Sequence, residues 1–471
     1  MHAHSALEPF ERPALEPKVA QGFTTEVLHP DGLCPAPVAP DRWRERQAYL
    51  AAFEGPGPAV WPWSTLAEYL DALAATRPAT TLVPSAGHNA IRDLVIGGDH
   101  RPASAEELAA MRAEVRTAVE AGARTLSFGM IYMPGVCAPT EELEALAVEA
   151  AAAGIPIVPH VRNEADGILE SIEEFIGIAE RTGAALHLSH LKLIGNADLL
   201  EPLLALLDAA RERVDFTFDH YPYGAGSTTL SAILPPAAQA GGPAATLARL
   251  RAPQERAALA ETMRRGLPGW ENLYGSCGPD GIVIAHAGAP REDAIGLRLS
   301  ELGGDPIEAA FDLLVDADLD VTMIDHYASE ETVRALFRHP AGLVGSDGLF
   351  GEQPHPRLYG TAARVLGRLA LRDGVIGVEE AIGRLATRAA QRLGLNDRGS
   401  VRERLRADLV LVDPEQLVDT ATFADPRRTP PGVRRVIIGG RTAYVDGAST
   451  GERAGGVLTD APVRVADRSG S

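Results

Sequence analysis

The residues best suited to chemistry sit in short polar tails behind apolar runs. The chain opens MHAHS; IPIVPH ends on His160, ALHLSH on His190 and AGLVGSD on Asp347. His2 and His4 are two residues apart, so in an extended chain both rings face one side. Imidazoles and carboxylates ligate divalent ions. Four imidazoles and one carboxylate around a single opening could hold one or two ions and leave a position for water. Any one of these residues alone is equally well a polar strand end satisfied by its neighbours. All five in succession at strand ends point to a site.

The elements that must position them are strands of a parallel sheet. TTEVLHPDG (24–32), TTLVPSAGH (80–88), RTLSFG (124–129), IPIVPHVRNE (155–164), ALHLSHLK (185–192), VDFTFDHYPY (214–223) and AGLVGSDG (341–348) are short apolar or β-branched runs. Helical stretches such as 106–122 and 141–154 separate them, and both of these stop at glycine. That alternation predicts a βα architecture whose C-terminal strand ends ring one mouth. A length of 471 residues fits an α/β fold: a (β/α)8 TIM barrel of about 250 residues or more plus one smaller domain. We expect the barrel over 1–395, with an insertion at about 232–335 holding GIVIAHAG and DVTMIDH; DVTMIDH also reads as a barrel strand. From 396 to 471, ADLVLVDP, VRRVIIGGRTAYVDG and GVLTDAPVRV predict part of a small C-terminal β-sandwich domain.

Composition narrows the function classes. Against 44 Lys and Arg stand 64 Asp and Glu, a net charge of −20. That excess argues against nucleic acid and anionic membrane surfaces, which bind through basic groups. Cys34, Cys137 and Cys277 form no metal or disulfide framework, which suits the cytoplasm. Only two lysines occur, Lys18 and Lys192. In a chain that uses arginine almost everywhere else, each invites a specific role.

Taken together, MHAHS, PHVRNEADG, LHLSHLK, DHYPYGAGSTTL and GSDGLFGEQPHPRLYGT resemble the motifs of the N-acyl-D-amino-acid deacylases of the amidohydrolase superfamily. The resemblance runs from Met1 to about residue 460. It implies a metal-dependent hydrolase that cleaves the amide of an N-acyl-D-amino acid, giving a carboxylate and a free D-amino acid. By motif position it implies His160 and His190 as main zinc ligands, with His2 and His4 forming a second subsite. Asp347 would be the general base and acid as well as a ligand. Lys192, Tyr221, Ser227 and Arg357 match positions that grip the substrate carboxylate, and His88 in SAGHNAIR would line the pocket. Lys18 reads as a structural residue. His220, His326 and His355 read as loop or supporting residues, and His29, His187, His286 and His339 acquire no role.

Two departures from the pattern stand out. HPDGLCPAP places Asp31 where the family carries a cysteine ligand, so Asp31 is expected to bind metal, against the plainer reading of a Pro-Asp-Gly turn. A carboxylate is a harder ligand than a thiolate, so manganese or cobalt could replace zinc. The family also has a strand before HxH and, ahead of it, a segment of the small β domain. A barrel short of its first strand leaves open edges. We therefore expect Met1 to be an internal position read as a start, with the first strand apparently truncated and the β-sandwich lacking its N-terminal half. Two other functions compete. A cyclic-amide hydrolase of dihydropyrimidinase or hydantoinase type commonly carries a bridging carboxylated lysine, and no lysine lies near RTLSFG. A non-catalytic truncated barrel would hold no metal. The partner expected is a small N-acyl amino acid, with no nucleic acid and no membrane.

Overall fold

The computed structural model describes residues 1–99 and 101–460. Its largest sheet is parallel and six-stranded. It is built from β3 (Ala86–Gly87), β4 (Leu126–Gly129), β5 (Ile157–His160), β6 (Leu186–Leu188), β7 (Phe216–His220) and β11 (Gly342–Val344), in that spatial order. A second parallel sheet pairs β1 (Thr25–Val27) with β2 (Thr81–Val83), and β2 in turn with β16 (Gly456–Val457). β2 and β3 are one run of chain with a break at Pro84 and Ser85. All seven runs read as strands are thus strands. They are mostly apolar and almost wholly buried, as expected of a parallel sheet covered on both faces. Leu82, Leu126, Phe128, Ile157, Leu186 and Phe218 are all fully buried.

Residues 1–3 join the free edges of these two sheets. The Met1 amino group donates to Val344 O at 3.1 Å and Asp347 N donates to His2 O at 3.0 Å. On the other side Ala3 N donates to Val27 O at 3.0 Å. The edges expected to lie open are therefore bonded to the opening residues of the chain.

The helices start and stop where local chemistry directs. Ala105–Glu120 begins on a Ser104 capping box closed by Glu107. Thr140–Ala153 ends at Gly154 in the left-handed conformation, which a glycine adopts without steric cost. Ile168–Thr182 ends on Gly183 in the same way.

Between β7 and β11 the chain leaves the parallel sheet. β8 (Ala225–Thr229), β9 (Ile282–Ala287) and β10 (Val321–His326) form an antiparallel sheet in the order β8-β10-β9. DVTMIDH is thus the central strand of this separate sheet. Helices Gly242–Arg251, Pro253–Arg265 and Pro306–Asp316 pack with it around their own apolar core of Ile282, Ile284, Phe311 and Met323.

Near the C-terminus, β12 (Leu409–Val412), β13 (Val433–Ile438), β14 (Arg441–Val445) and β15 (Ala448–Ser449) make one antiparallel sheet. Among the described residues no second sheet faces it. Val433, Val436 and Ile438 pack instead on Val19, Ala20, Ala363 and Leu417. GVLTDAPVRV was expected in this unit, and here the structure differs: Gly456 and Val457 pair with Thr81 and Leu82 of β2. An unpaired strand edge at β2 outcompetes β15, which spans only two residues. The part of that run from 461 onward lies outside the described residues. Among the described residues no helix is long and apolar enough to cross a membrane.

Candidate metal centre

Four of the site residues come from the end of a strand or the turn just after it, while His2 and His4 lie in the opening residues, which form no strand. His160 closes β5, His190 lies two residues past β6, and Asp347 follows β11 by three. Asp31 sits in the Pro30–Gly32 turn after β1. The backbone is left-handed at Asp31 (φ 55°), His190 (φ 35°) and Asp347 (φ 47°). Non-glycine residues rarely adopt this region, and it recurs where a side chain must be aimed. Two glycines clear the way. A Cβ at Gly129 would strike the Asp31 carbonyl oxygen, and one at Gly345 would strike the Asp219 carboxylate. Asp219 in turn accepts from His190 N at 3.1 Å and binds His187 Nε2 at 2.9 Å, which holds the His190 turn in place.

The side chains converge. His2 Nε2, His4 Nε2 and Asp347 Oδ1 are mutually 3.3 Å apart. A tetrahedral ion with bonds of about 2.0–2.1 Å separates its donor atoms by about 3.3–3.4 Å, so this triangle is one face of such a site. Asp31 Oδ1 lies 3.3 Å from His190 Nε2 and 3.6 Å from His160 Nδ1. Its other oxygen lies 3.7 Å from both His2 Nε2 and His4 Nε2. Asp31 therefore stands between two imidazole pairs with one oxygen toward each. It is in the Pro-Asp-Gly turn as well, so the two readings of this residue describe one arrangement.

The donor set fits a metal on a second count. Both ring nitrogens of His160 and Oδ1 of Asp31 are buried and have no hydrogen-bond partner. Buried polar atoms are rarely left unpaired, and a cation at the centre would satisfy His160 Nδ1 and Asp31 Oδ1, while His160 Nε2 faces Glu164. The outward nitrogens are tied down. His2 Nδ1 bonds Ser189 Oγ at 2.8 Å, and His4 Nδ1 donates to Glu54 Oε1 at 2.9 Å. Such partners fix the tautomer and raise ligand basicity.

Glu164 and Glu54 were not anticipated. Glu164 lies 3.3 Å from His190 Nδ1 and 3.4 Å from His160 Nε2, on the side of the rings away from Asp31, and it pairs with Lys192. Its spacing of four from His160 was visible in PHVRNE. Glu54 ends helix Trp43–Glu54, and no local pattern links it to His4.

Electrostatics follow the crowding. Burial works to raise the Asp347 carboxyl, but Arg357 and His2 outweigh it and hold it well below the usual range. For Asp31 burial is likewise outweighed, by His2 and His190. Burial disfavours charge on His4, yet Glu54 and Asp347 lift it to about 9. Burial and Lys192 act to lower His190, and Glu164 and Asp31 still raise it to about 10. Without an ion, protons fill the role of cation among these carboxylates.

The substrate-side residues share one cavity with the metal cluster. Lys192, Tyr221, Ser227 and Arg357 line it together with Asp31, His160, His190 and Asp347. Arg357 reaches Asp347 Oδ2 at 2.9 Å, donates to Ser227 O at 3.0 Å and lies 4.5 Å over the Tyr221 ring. Lys192 Nζ is 3.0 Å from His190 Nδ1. The insertion supplies Asp325 and Glu271 to the same cavity; burial raises them to about 6 and about 8.

His88 does not join them, which corrects the expectation that it lines the pocket. It starts helix His88–Ile96 and is fully buried, with Nε2 bound to Glu142 at 2.8 Å and its ring against Phe128. The turn into the helix points its side chain away from the mouth. Lys18 is buried beneath the Asp347 loop, donating to Ser346 Oγ at 3.0 Å, and that hydroxyl donates to His2 O at 3.1 Å. His220 donates to Leu191 O at 2.7 Å, and His355 accepts from Arg357 N at 2.9 Å. His326 closes β10 with its ring beside Phe423.

A family model described as the amidohydrolase family matches residues 39–444. The D-aminoacylase of Alcaligenes xylosoxydans xylosoxydans is 31% identical over 460 residues, covering 97% of this chain and 85% of that protein. An N-acyl-D-aspartate deacylase of the same organism is 34% identical over 464 residues, covering 97% and 83%. Among solved structures, the N-acyl-D-glutamate deacylase of Bordetella bronchiseptica, complexed with zinc and a phosphonate mimic of the tetrahedral intermediate, is similar with a TM-score of 0.80. It is 30% identical, and the match covers 97% of this chain and 87% of that one.

Proposed function

The chain belongs to the amidohydrolase family, and from that premise we propose that it is a metal-dependent N-acyl-D-amino-acid deacylase. It hydrolyses a linear amide, releasing a carboxylate and a free D-amino acid. One observation carries the reading: at a single cavity, two imidazole pairs bridged by Asp31 stand beside two buried cations, Lys192 and Arg357. The first set suits an amide carbonyl and a water; the second suits the substrate's free carboxylate.

His160, His190 and Asp31 would hold one ion, and His2, His4 and Asp347 the other subsite, with Asp31 shared. Zinc is the expected metal, and the Asp31 carboxylate also admits manganese or cobalt. A divalent ion there supplies a Lewis acid for the carbonyl and lowers the pKa of a bound water. Asp347, kept ionised by Arg357, is poised to take a proton from the attacking water and to pass it to the leaving amine. Lys192 and Arg357 pair with the substrate carboxylate, loosening their bonds to Glu164 and Asp347. The Tyr221 and Ser227 hydroxyls add hydrogen bonds that orient it.

The scaffold we infer is a (β/α)8 barrel. β1, the β2–β3 run, β4, β5, β6, β7 and β11 are seven of its strands, and residues 1–4 take the eighth place. The barrel extends to about residue 395 with the insertion at about 232–335, and the small β domain follows. Three cysteines with no disulfide among them suit the cytoplasm.

The test is amine release from paired N-acetyl-D- and N-acetyl-L-amino acids with zinc, manganese or cobalt supplied. D-selective release that a chelator abolishes is expected. No release from a folded, metal-loaded protein would refute the reading.

A further inference from the structure

The insertion contributes part of the cavity wall, and that part is acidic. Asp325, on β10, and Glu271, just ahead of helix Leu273–Gly281, both line the cavity and are buried. The two cations of the cavity are already paired, Lys192 with Glu164 and Arg357 with Asp347. Among the described residues neither Asp325 nor Glu271 has an ion-pair partner. Glu271 accepts only from the Glu164 amide, and Asp325 Oδ1 has no hydrogen-bond partner. Asp325 faces Gly226 across the β8–β10 pairing, where a Cβ would come within 2.8 Å of Oδ1. The missing side chain lets that buried carboxylate lie against the β8 backbone, in the strand that also carries Ser227. Asp325 therefore stands beside the place where the substrate carboxylate, and with it the α-carbon, would be held.

We propose that Asp325, backed by Glu271, forms the subsite for the substrate side chain and selects N-acyl-D-amino acids with a cationic side chain, lysine or arginine, over acidic ones. The proposal rests on the deacylase reading above. Buried carboxylates without a cation are costly, and an ammonium or guanidinium entering beside Ser227 would supply one. A carboxylate side chain would instead meet the acidic group of Asp325, with Glu271 behind it and no cation between, and such juxtaposition rejects a partner more effectively than poor fit does.

The test uses the metal-loaded full chain and four substrates: N-acetyl-D-lysine, N-acetyl-D-arginine, N-acetyl-D-norleucine and N-acetyl-D-glutamate. The cationic pair is expected to exceed the glutamate derivative in kcat/KM by about 100-fold or more, and norleucine by about tenfold. Asp325→Asn should lower the cationic substrates at least about tenfold more than norleucine. Glu271→Gln should move the ranking the same way. Equal or better turnover of the glutamate derivative, or a uniform loss across all four in Asp325→Asn, would overturn the proposal. Calorimetric binding of free D-lysine, D-norleucine and D-glutamate separates the two readings. If no N-acetyl substrate is cleaved, the deacylase reading fails, while a preference for D-lysine that Asp325→Asn removes still sustains the cationic subsite. Absence of that preference overturns it.

Discussion

Three imidazoles of the cluster owe their aim to carboxylates on the far side of the ring, and those carboxylates are where mutation should tell most. Glu54 accepts from His4 Nδ1 at 2.9 Å. Glu54→Gln should weaken metal binding at the His2–His4–Asp347 subsite about 10–100-fold, read by titration against a competing chelator, with the His160–His190 subsite changed far less. Acidity sets a second expectation. In the metal-free protein His4 sits at about 9 and His190 at about 10, so at neutral pH each carries a proton that an incoming ion must displace. Raising the pH removes that competitor. Affinity at each subsite should therefore climb about tenfold per unit between pH 6 and 8. Zinc titrations at three pH values check this, and a flat profile would contradict it. His160 and His190 were legible in the sequence because they end short apolar runs, and His2 and His4 by their His-x-His spacing, both purely local patterns. Glu54 was not, since a helix end fifty residues away carries no mark of what it will face. Glu164 was legible in part, four residues after His160, but a spacing of four has no directional meaning once the strand has ended.

At the scale of elements, close approach governs. The turn carrying Asp31 crosses the end of β4 where Gly129 has no side chain, and any Cβ there would meet the Asp31 carbonyl. Gly129→Ala should push that turn outward, costing about 1–3 kcal/mol of stability. It should also reduce metal content, measured by elemental analysis beside a thermal melt; full stoichiometry would argue against the crossing. The same element logic explains His88. A histidine after Ala-Gly at the end of a strand reads as a mouth residue, but here the chain turns into a helix at that residue, and its ring packs into the core with Glu142 and Phe128. Sequence marks where a strand ends. It does not mark which way the next residue turns.

For the whole molecule, the parallel strands, the insertion and the small sheet followed from runs and turns readable along the chain, but the antiparallel pairing within the insertion did not. Nor did the long-range pairing of β16 with β2, because a two-residue strand has no period to read. Gly455 precedes it, and a Cβ there would collide with Thr80 O. Gly455→Val should detach this strand and lower the melting temperature, while metal affinity stays close to that of the parent protein. A change in affinity with no change in melting would contradict the separation of the two.

That pairing also bears on how the protein comes to be folded. β2 finds one neighbour within sixty residues and the other almost four hundred residues later, while Asp347 N bonds His2 O across more than three hundred residues of chain. Contacts of such sequence separation are slow to form, since the chain must close a long loop before gaining anything from them. A ribosome-bound chain lacking its last fifty residues has all the ligands and none of the final clasp. Since no ligand depends on β16, ion capture should precede the final clasp, and its time course would report when the His2 and Asp347 segments have met.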